Sequence, residues 1–163
     1  MQHISYISIG SNLGNRILNC QIAIKNLSEF STVLTSSSFY ETEPCGYEDE
    51  NQYINSVLKL TTQLNYTELL SKFQLIERQM GRKKNKLNIY KSRIIDLDIL
   101  FFDNLIINDS EITIPHPKLY ERNFVLKPFC EIDPEFMCPL RNKKISTILK
   151  SCNDKSEVNI YPH

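Results

Sequence analysis

The chain of 163 residues carries 19 Lys and Arg against 19 Asp and Glu, a formal net charge of zero, and 41% of its residues are hydrophobic. That length predicts one domain with a real core, over residues 1–163, and with 8 Phe and 8 Tyr the composition excludes a disordered or collagen-like chain. Neutrality argues against a uniformly basic coat for nucleic acid, but the charge is unevenly placed: residues 78–95 hold seven Lys or Arg and no acid, and residues 41–50 hold five acids and no base.

The five cysteines, Cys20, Cys45, Cys130, Cys138 and Cys152, are odd in number and include no C-x-x-C pair. No signal-like segment precedes them, so reduced thiols in a cytoplasmic protein are expected, without a cysteine zinc site. No apolar run is long enough to span a bilayer, and neither a membrane nor a nucleic acid is expected as partner.

Residues 3–10 (HISYISIG) are β-branched and aromatic and end in glycine, the pattern of a strand. Residues 11–15 (SNLGN) have turn and cap chemistry, and Ile17, Cys20, Ile24 and Leu27 then recur at helical spacing. Residues 32–40 predict a second strand, 41–52 a functional loop around Pro44 and Gly46, and 53–62 a third strand antiparallel to the second. The clearest helix is 67–80, with Leu69, Phe73, Ile76 and Met80 on one face and Gly81 as its stop. A basic, aperiodic stretch follows over 82–92, and 94–102 (IIDLDILFF) reads as a fourth strand. The order β-α-β-β-α-β predicts an α+β, ferredoxin-like core, an antiparallel sheet with both helices on one face. Beyond it, residues 105–114 suggest a strand or hairpin, and 124–129 and 145–149 short helices.

Residues i and i+2 of a strand share a face, so Asp96 and Asp98 stand together while Leu97, Ile99 and Phe101 turn to the helices. Two carboxylates side by side repel unless a cation lies between them, and hard cations such as Mg²⁺ take oxygen ligands of this kind together with substrate phosphates. The bland reading is an acid pair on a solvated sheet face. Arg82, Lys83, Lys84, Lys86, Lys91 and Arg93, leading directly into the pair, favour a polyanion site instead. No P-loop pattern is present, and the glycines of residues 10–14 are adequately explained as a strand-to-helix turn.

These pieces, in this order, resemble the 6-hydroxymethyl-7,8-dihydropterin pyrophosphokinases of folate biosynthesis, from Tyr6 to about Pro134. The matching stretches are YISIGSN at residues 6–12, an F-Y-x-T-x-P-x-G loop at 39–46, Y-x-N at 53–55, Glu77 with Gly81-Arg82, R-x-x-D-x-D at 93–98, and Pro115-His116 with Arg122-Asn-Phe124. The resemblance implies transfer of the diphosphate of ATP to the hydroxymethyl group of the pterin, giving AMP. It implies two Mg²⁺ ions with ATP, held by Asp96 and Asp98, and Arg82 and Arg93 as catalytic cations. By the same resemblance Lys84, His116 and Arg122 would hold phosphates or ribose, and Leu70, Gln74, Glu77, Ile99 and Thr113 would complete the ATP side. Tyr53 and Phe124 would stack on the pterin, Asn55 would read its edge, and Thr42, Pro44, Cys45 and Gly46 would close the slot. Where the family commonly has Trp-Gly-Pro before the arginine, this chain reads Ile89-Tyr90-Lys91-Ser92, and Glu111 replaces an arginine of some members. A monofunctional monomer is expected. The alternative is a ferredoxin-like RNA-binding module, whose K/R-G-F/Y-G/A-F-V-x-F/Y strand neither YINSVLKL nor IIDLDILF supplies.

Overall fold

The computed structural model describes residues 1–42, 51–82 and 93–162. Alternating β-branched and aromatic residues form β1 (His3–Ser11), and Asn15 caps α1 (Arg16–Leu27) by accepting a hydrogen bond from the Leu18 N–H at 3.1 Å. The predicted second strand is two strands, β2 (Ser31–Ser36) and β3 (Tyr40–Thr42), both paired with β4 (Tyr53–Thr62). The break falls at a serine run, where Ser37 Oγ accepts from the Val57 N–H and the two elements part.

A capping box of Asn65 and Glu68 starts α2 (Tyr66–Gln79). Its end is a Schellman turn: Gly81, at φ +101°, donates to the Arg78 carbonyl, and the Arg82 N–H donates to the Glu77 carbonyl at 2.9 Å. This turn folds Arg82 back onto Glu77, a point that matters for the site.

β5 (Asp96–Phe102) pairs antiparallel with β1. A hairpin of β6 (Ile107–Asn108) and β7 (Thr113–Ile114) follows, then a 3-10 turn at Leu119–Glu121 and α3 (Asn123–Ile132). A small ribbon of β8 (Met137–Cys138) and β9 (Lys143–Lys144) leads to α4 (Ile145–Lys150) and finally β10 (Val158–Ile160), which sequence reading did not anticipate.

The main sheet runs β10-β3-β4-β1-β5, with β2 also on β4, and these pairings are antiparallel. One face packs on α1 and α2 through Ile7, Ile9, Leu58, Phe73, Leu97 and Ile99, as the ferredoxin-like reading requires. The other face is covered in part by α3 and α4, through Tyr6, Phe101, Leu126 and Phe129.

Phe101 therefore departs from expectation. Ile7 faces Ile99 but Tyr6 faces Phe101, so Leu100 is an extra residue in β5, a β-bulge. Strict alternation ends there. Phe101 goes to the α3 side and Phe102 to the α1–α2 side.

Candidate active site

The face of the sheet turned away from α1 and α2 is open at one end, where a cavity is lined by Gly10, Asn55, Asp96 and Asp98 on its floor and by Tyr53 and Phe124 on its walls. Strand register builds the floor. Gly10 of β1 lies between Asn55 of β4 and Asp96 of β5, and Ser8 lies beside Asp98. Gly10 is thus within the strand rather than in a turn. A Cβ there would stand 3.1 Å from Asn55 Oδ1 and 3.6 Å from the Tyr53 ring, so glycine leaves the space those side chains use. Gly14, at φ +66°, is the turn glycine. Sequence reading missed Ser8 and Gly10, although both lie at i, i+2 spacing from Tyr6 on the acid-bearing face.

Asn55 is 7% exposed, and its Nδ2 donates to Thr42 Oγ1 at 2.7 Å. A buried amide needs partners, and Thr42 at the end of β3 is one of them. Phe124, in the first turn of α3, is half-buried at the rim, with the Arg122 guanidinium 5.6 Å from its ring centre.

The end that carries the paired acids is organised by a carboxylate behind the floor. Glu77, 6% exposed, accepts the Leu97 N–H through Oε1 at 2.9 Å and a guanidinium N–H of Arg82 through Oε2. Burial pushes its carboxyl above the usual range, and those two donors oppose the shift. Both oxygens are engaged by the protein. Glu77 was expected on the ATP side; in the structure its two oxygens hold the Leu97 N–H and the Arg82 guanidinium behind the floor.

Arg82 Nη1 and Arg93 Nη1 each reach Asp96 Oδ1 at 3.0 Å. Arg93 is held in turn by reciprocal bonds with Asn12: its N–H donates to Asn12 Oδ1 at 2.6 Å, and the Asn12 N–H donates to its carbonyl at 3.0 Å. Burial acts to lower the pKa of Arg93, but Asp96 outweighs it and the guanidinium stays charged.

Asp98 is pushed up by burial and by Asp96 beside it, with Arg122 opposing. His116 Nε2 lies 3.8 Å from its Oδ2, beyond hydrogen-bond range. His116 follows a cis Ile114–Pro115 bond, its N–H donates to the Leu100 carbonyl at 3.0 Å, and its Nδ1 accepts the Lys118 N–H at 3.2 Å. The neutral ring accordingly carries its proton on Nε2, facing Asp98. Burial and Arg122 lower its pKa to about 4, so it is neutral near pH 7.

The structure brings together Arg82, Arg93, Asp96, Asp98, His116 and Arg122 at one end, and Thr42, Tyr53, Asn55 and Phe124 at the other. It does not bring Leu70, Gln74, Ile99 or Thr113 to the cavity wall. Leu70 packs against the core, Gln74 is exposed on α2, Ile99 is 3% exposed within the core, and Thr113 lies on β7. Lys84, Pro44, Cys45 and Gly46 lie outside the described residues, as do most of the basic and acidic runs. Cys20, Cys130, Cys138 and Cys152 are free thiols. Among the described residues no helix is long and apolar enough to cross a membrane.

Residues 6–134 match the family model described as 7,8-dihydro-6-hydroxymethylpterin-pyrophosphokinase. The chain is 35% identical to the 2-amino-4-hydroxy-6-hydroxymethyldihydropteridine pyrophosphokinase of Haemophilus influenzae over 97% of this chain and 98% of that one. Identity to the enzyme of that name from Bacillus subtilis is 42%, over 81% of this chain and 79% of the other. It is 41% identical to a folic acid synthesis protein of Pneumocystis carinii over 91% of this chain, but spans only 20% of that longer protein. The HPPK-DHPS of Plasmodium falciparum shares the fold, with a TM-score of 0.77 at 17% identity, over 92% of this chain and 45% of that one. A cavity with paired acids and arginines at one end and aromatic walls at the other, on this sheet, accompanies a sequence match across most of its length: the chain belongs to the 7,8-dihydro-6-hydroxymethylpterin-pyrophosphokinase family.

Proposed function

We propose that this protein moves the β,γ-diphosphate of ATP to the hydroxymethyl oxygen of 6-hydroxymethyl-7,8-dihydropterin in folate biosynthesis. One observation carries the residue roles: a single cavity joins a flat, amide-edged slot to a floor of paired carboxylates ringed by guanidinium groups. The ring system lies between Tyr53 and Phe124, and Asn55, locked to Thr42, offers its remaining amide capacity to the heterocycle edge. That places the hydroxymethyl oxygen toward Asp96 and Asp98.

In the transfer, a bond forms between that oxygen and the β-phosphorus. The bond from the β-phosphorus to the oxygen bridging the α-phosphorus breaks, AMP leaves with the bridging oxygen, and the hydroxymethyl proton is released to solvent. The protein contributes position and charge rather than a covalent intermediate. Arg82 and Arg93, already fixed on Asp96, face the transferred group, and their charge offsets the charge that grows on it. Arg122 and neutral His116, with its Nε2–H, hold phosphate oxygens. Asp98 and Asp96 Oδ2 accept no hydrogen bond among the described residues, which fits a role in holding Mg²⁺. Mg²⁺ bound there would neutralise the triphosphate. By family resemblance Leu70, Gln74, Ile99, Thr113 and Lys84 mark the nucleoside and phosphate flank, with Ile99 acting through its main chain because its side chain is core. Nothing in the family match supports the RNA-binding alternative.

The test is product analysis. With ATP, Mg²⁺ and the hydroxymethyl-dihydropterin, the expected outcome is AMP in step with pterin diphosphate. ADP as the nucleotide product, or no turnover, would overturn the proposal.

A further inference from the structure

α3 begins without a cap of its own: the residue before it, Arg122, makes no side-chain capping bond. The cap comes from 31 residues away. Asp154 Oδ2 accepts the Asn123 N–H at 3.0 Å, while its Oδ1 accepts the Ser156 N–H at 2.9 Å and the Ser156 Oγ–H at 2.6 Å. Burial acts to raise the Asp154 pKa, but these donors outweigh it and the carboxylate stays ionised against the helix N-terminus.

The contacts continue along the segment. Asn123 Nδ2 donates to the Ser156 carbonyl at 3.2 Å, and Lys127 Nζ donates to the Val158 carbonyl at 2.7 Å. From Val158 onward the segment leaves α3 and pairs with β3, setting Val158 against Thr42, Asn159 against Glu41 and Ile160 against Tyr40. Next to it, Arg16 ties Glu41 and the Gln52 carbonyl at 2.7 Å each.

One stretch of chain therefore bonds beside Phe124 on one wall and, through β3, to Thr42, the register partner of Tyr53 on the other. Phe124 sits one residue after the capped Asn123, and Thr42, which holds Asn55, is the β3 residue paired with buried Val158. The segment lies beyond the residues that the family model matches. We propose that 154–160 is a strap that fixes the spacing of the ring slot, with Asp154 the positioning residue that sets Phe124. The inference rests on the ring-slot reading of the preceding subsection.

The experiment compares wild type with Asp154→Ala, Asp154→Asn and Lys127→Met, measuring KM for the hydroxymethyl-dihydropterin and for ATP separately. An alanine removes every acceptor contact of Asp154, whereas Asn keeps one acceptor oxygen and sets its NH₂ where the other stood. Asp154→Ala is expected to raise the pterin KM about five-fold, the ratio that loss of one cap corresponds to, with ATP KM and kcat within about two-fold. Asp154→Asn, with one acceptor oxygen in place of two, should fall between wild type and Asp154→Ala, and Lys127→Met should raise pterin KM by about two-fold. Unchanged pterin KM in both Asp154→Ala and Lys127→Met, or pterin and ATP KM rising together, would overturn the strap. If Asp154→Ala does not fold, the Lys127→Met values decide by the same criteria. Wild type without pterin-dependent AMP release would instead remove the function on which the strap rests.

Discussion

The α3-facing side of the sheet has a closed half and an open half built on the same strands. In the closed half, Tyr6 stacks on Phe129 at 4.6 Å between ring centres, Phe101 meets Phe129 edge-on at 5.6 Å, and the Tyr6 hydroxyl donates to Asp133. Moving along the strands, Tyr6 gives way to Ser8 and then Gly10 on β1, and Phe101 and Leu100 give way to Asp98 and Asp96 on β5. The aromatic stack ends where the side chains shrink, and α3 begins at that border. The candidate active-site cavity is thus made by withholding bulk from half of a face whose other half is core. Stability and chemistry are separated by a few residues along each strand.

That separation can be attacked from both sides. Phe129→Ala, in the closed half, should cost about 3–5 kcal/mol of stability, measured by denaturant unfolding, with kcat per folded molecule unchanged. A comparable loss of kcat would show that the two halves are coupled. Asp96→Ala and Asp98→Ala, in the open half, should each lower turnover by about 10²–10³-fold, the scale seen when one electrostatic stabiliser is lost. Their unfolding midpoints should stay near that of wild type, and a variant that unfolds early would assign its acid to the fold instead. The smallest effect is expected from Asp98→Asn in ligand-free protein. Because the folded state raises the Asp98 pKa, its ionised form is disfavoured there, and the native state loses stability as pH rises past the ordinary carboxylate range. The Asn variant lacks that loss. It should therefore unfold at a slightly higher temperature than wild type at pH 8, with the gap closing toward pH 4. A gap that widens on acidification would reverse the assigned sign.

Much of this could be read from residue order. The helical spacing of Leu69, Phe73 and Ile76, the stop at Gly81, and the shared face of Asp96 and Asp98 rest on local periodicity, and local periodicity is visible in sequence. Features that depend on a distant partner were not visible. The bulge at Leu100 arises from register against Tyr6 and Ile7, which no window of β5 contains. The resemblance set Glu77 on the ATP side, and only the approach of β5 makes its carboxylate the acceptor for the Leu97 N–H. Asp154 and β10 were silent for the same reason: their partners, Asn123 and β3, lie far away in the chain. Gly10 was misread as a turn because sequence shows a missing side chain but not the Asn55 amide that occupies its place.

The bulge also has a consequence for how β5 tolerates change in length. With Leu100 removed, Ile99 would be followed by Phe101 and Phe102 on the faces they already occupy, since an uninterrupted alternation gives the same assignment. The sheet does not require the additional residue for its parity. Leu100 instead contributes a side chain to the aromatic cluster and, at its carbonyl, the hydrogen-bond anchor of the His116 main chain. The irregularity is an insertion whose beneficiary is the ligand end of the molecule: a shorter, more regular strand would keep the core in phase and set His116 adrift.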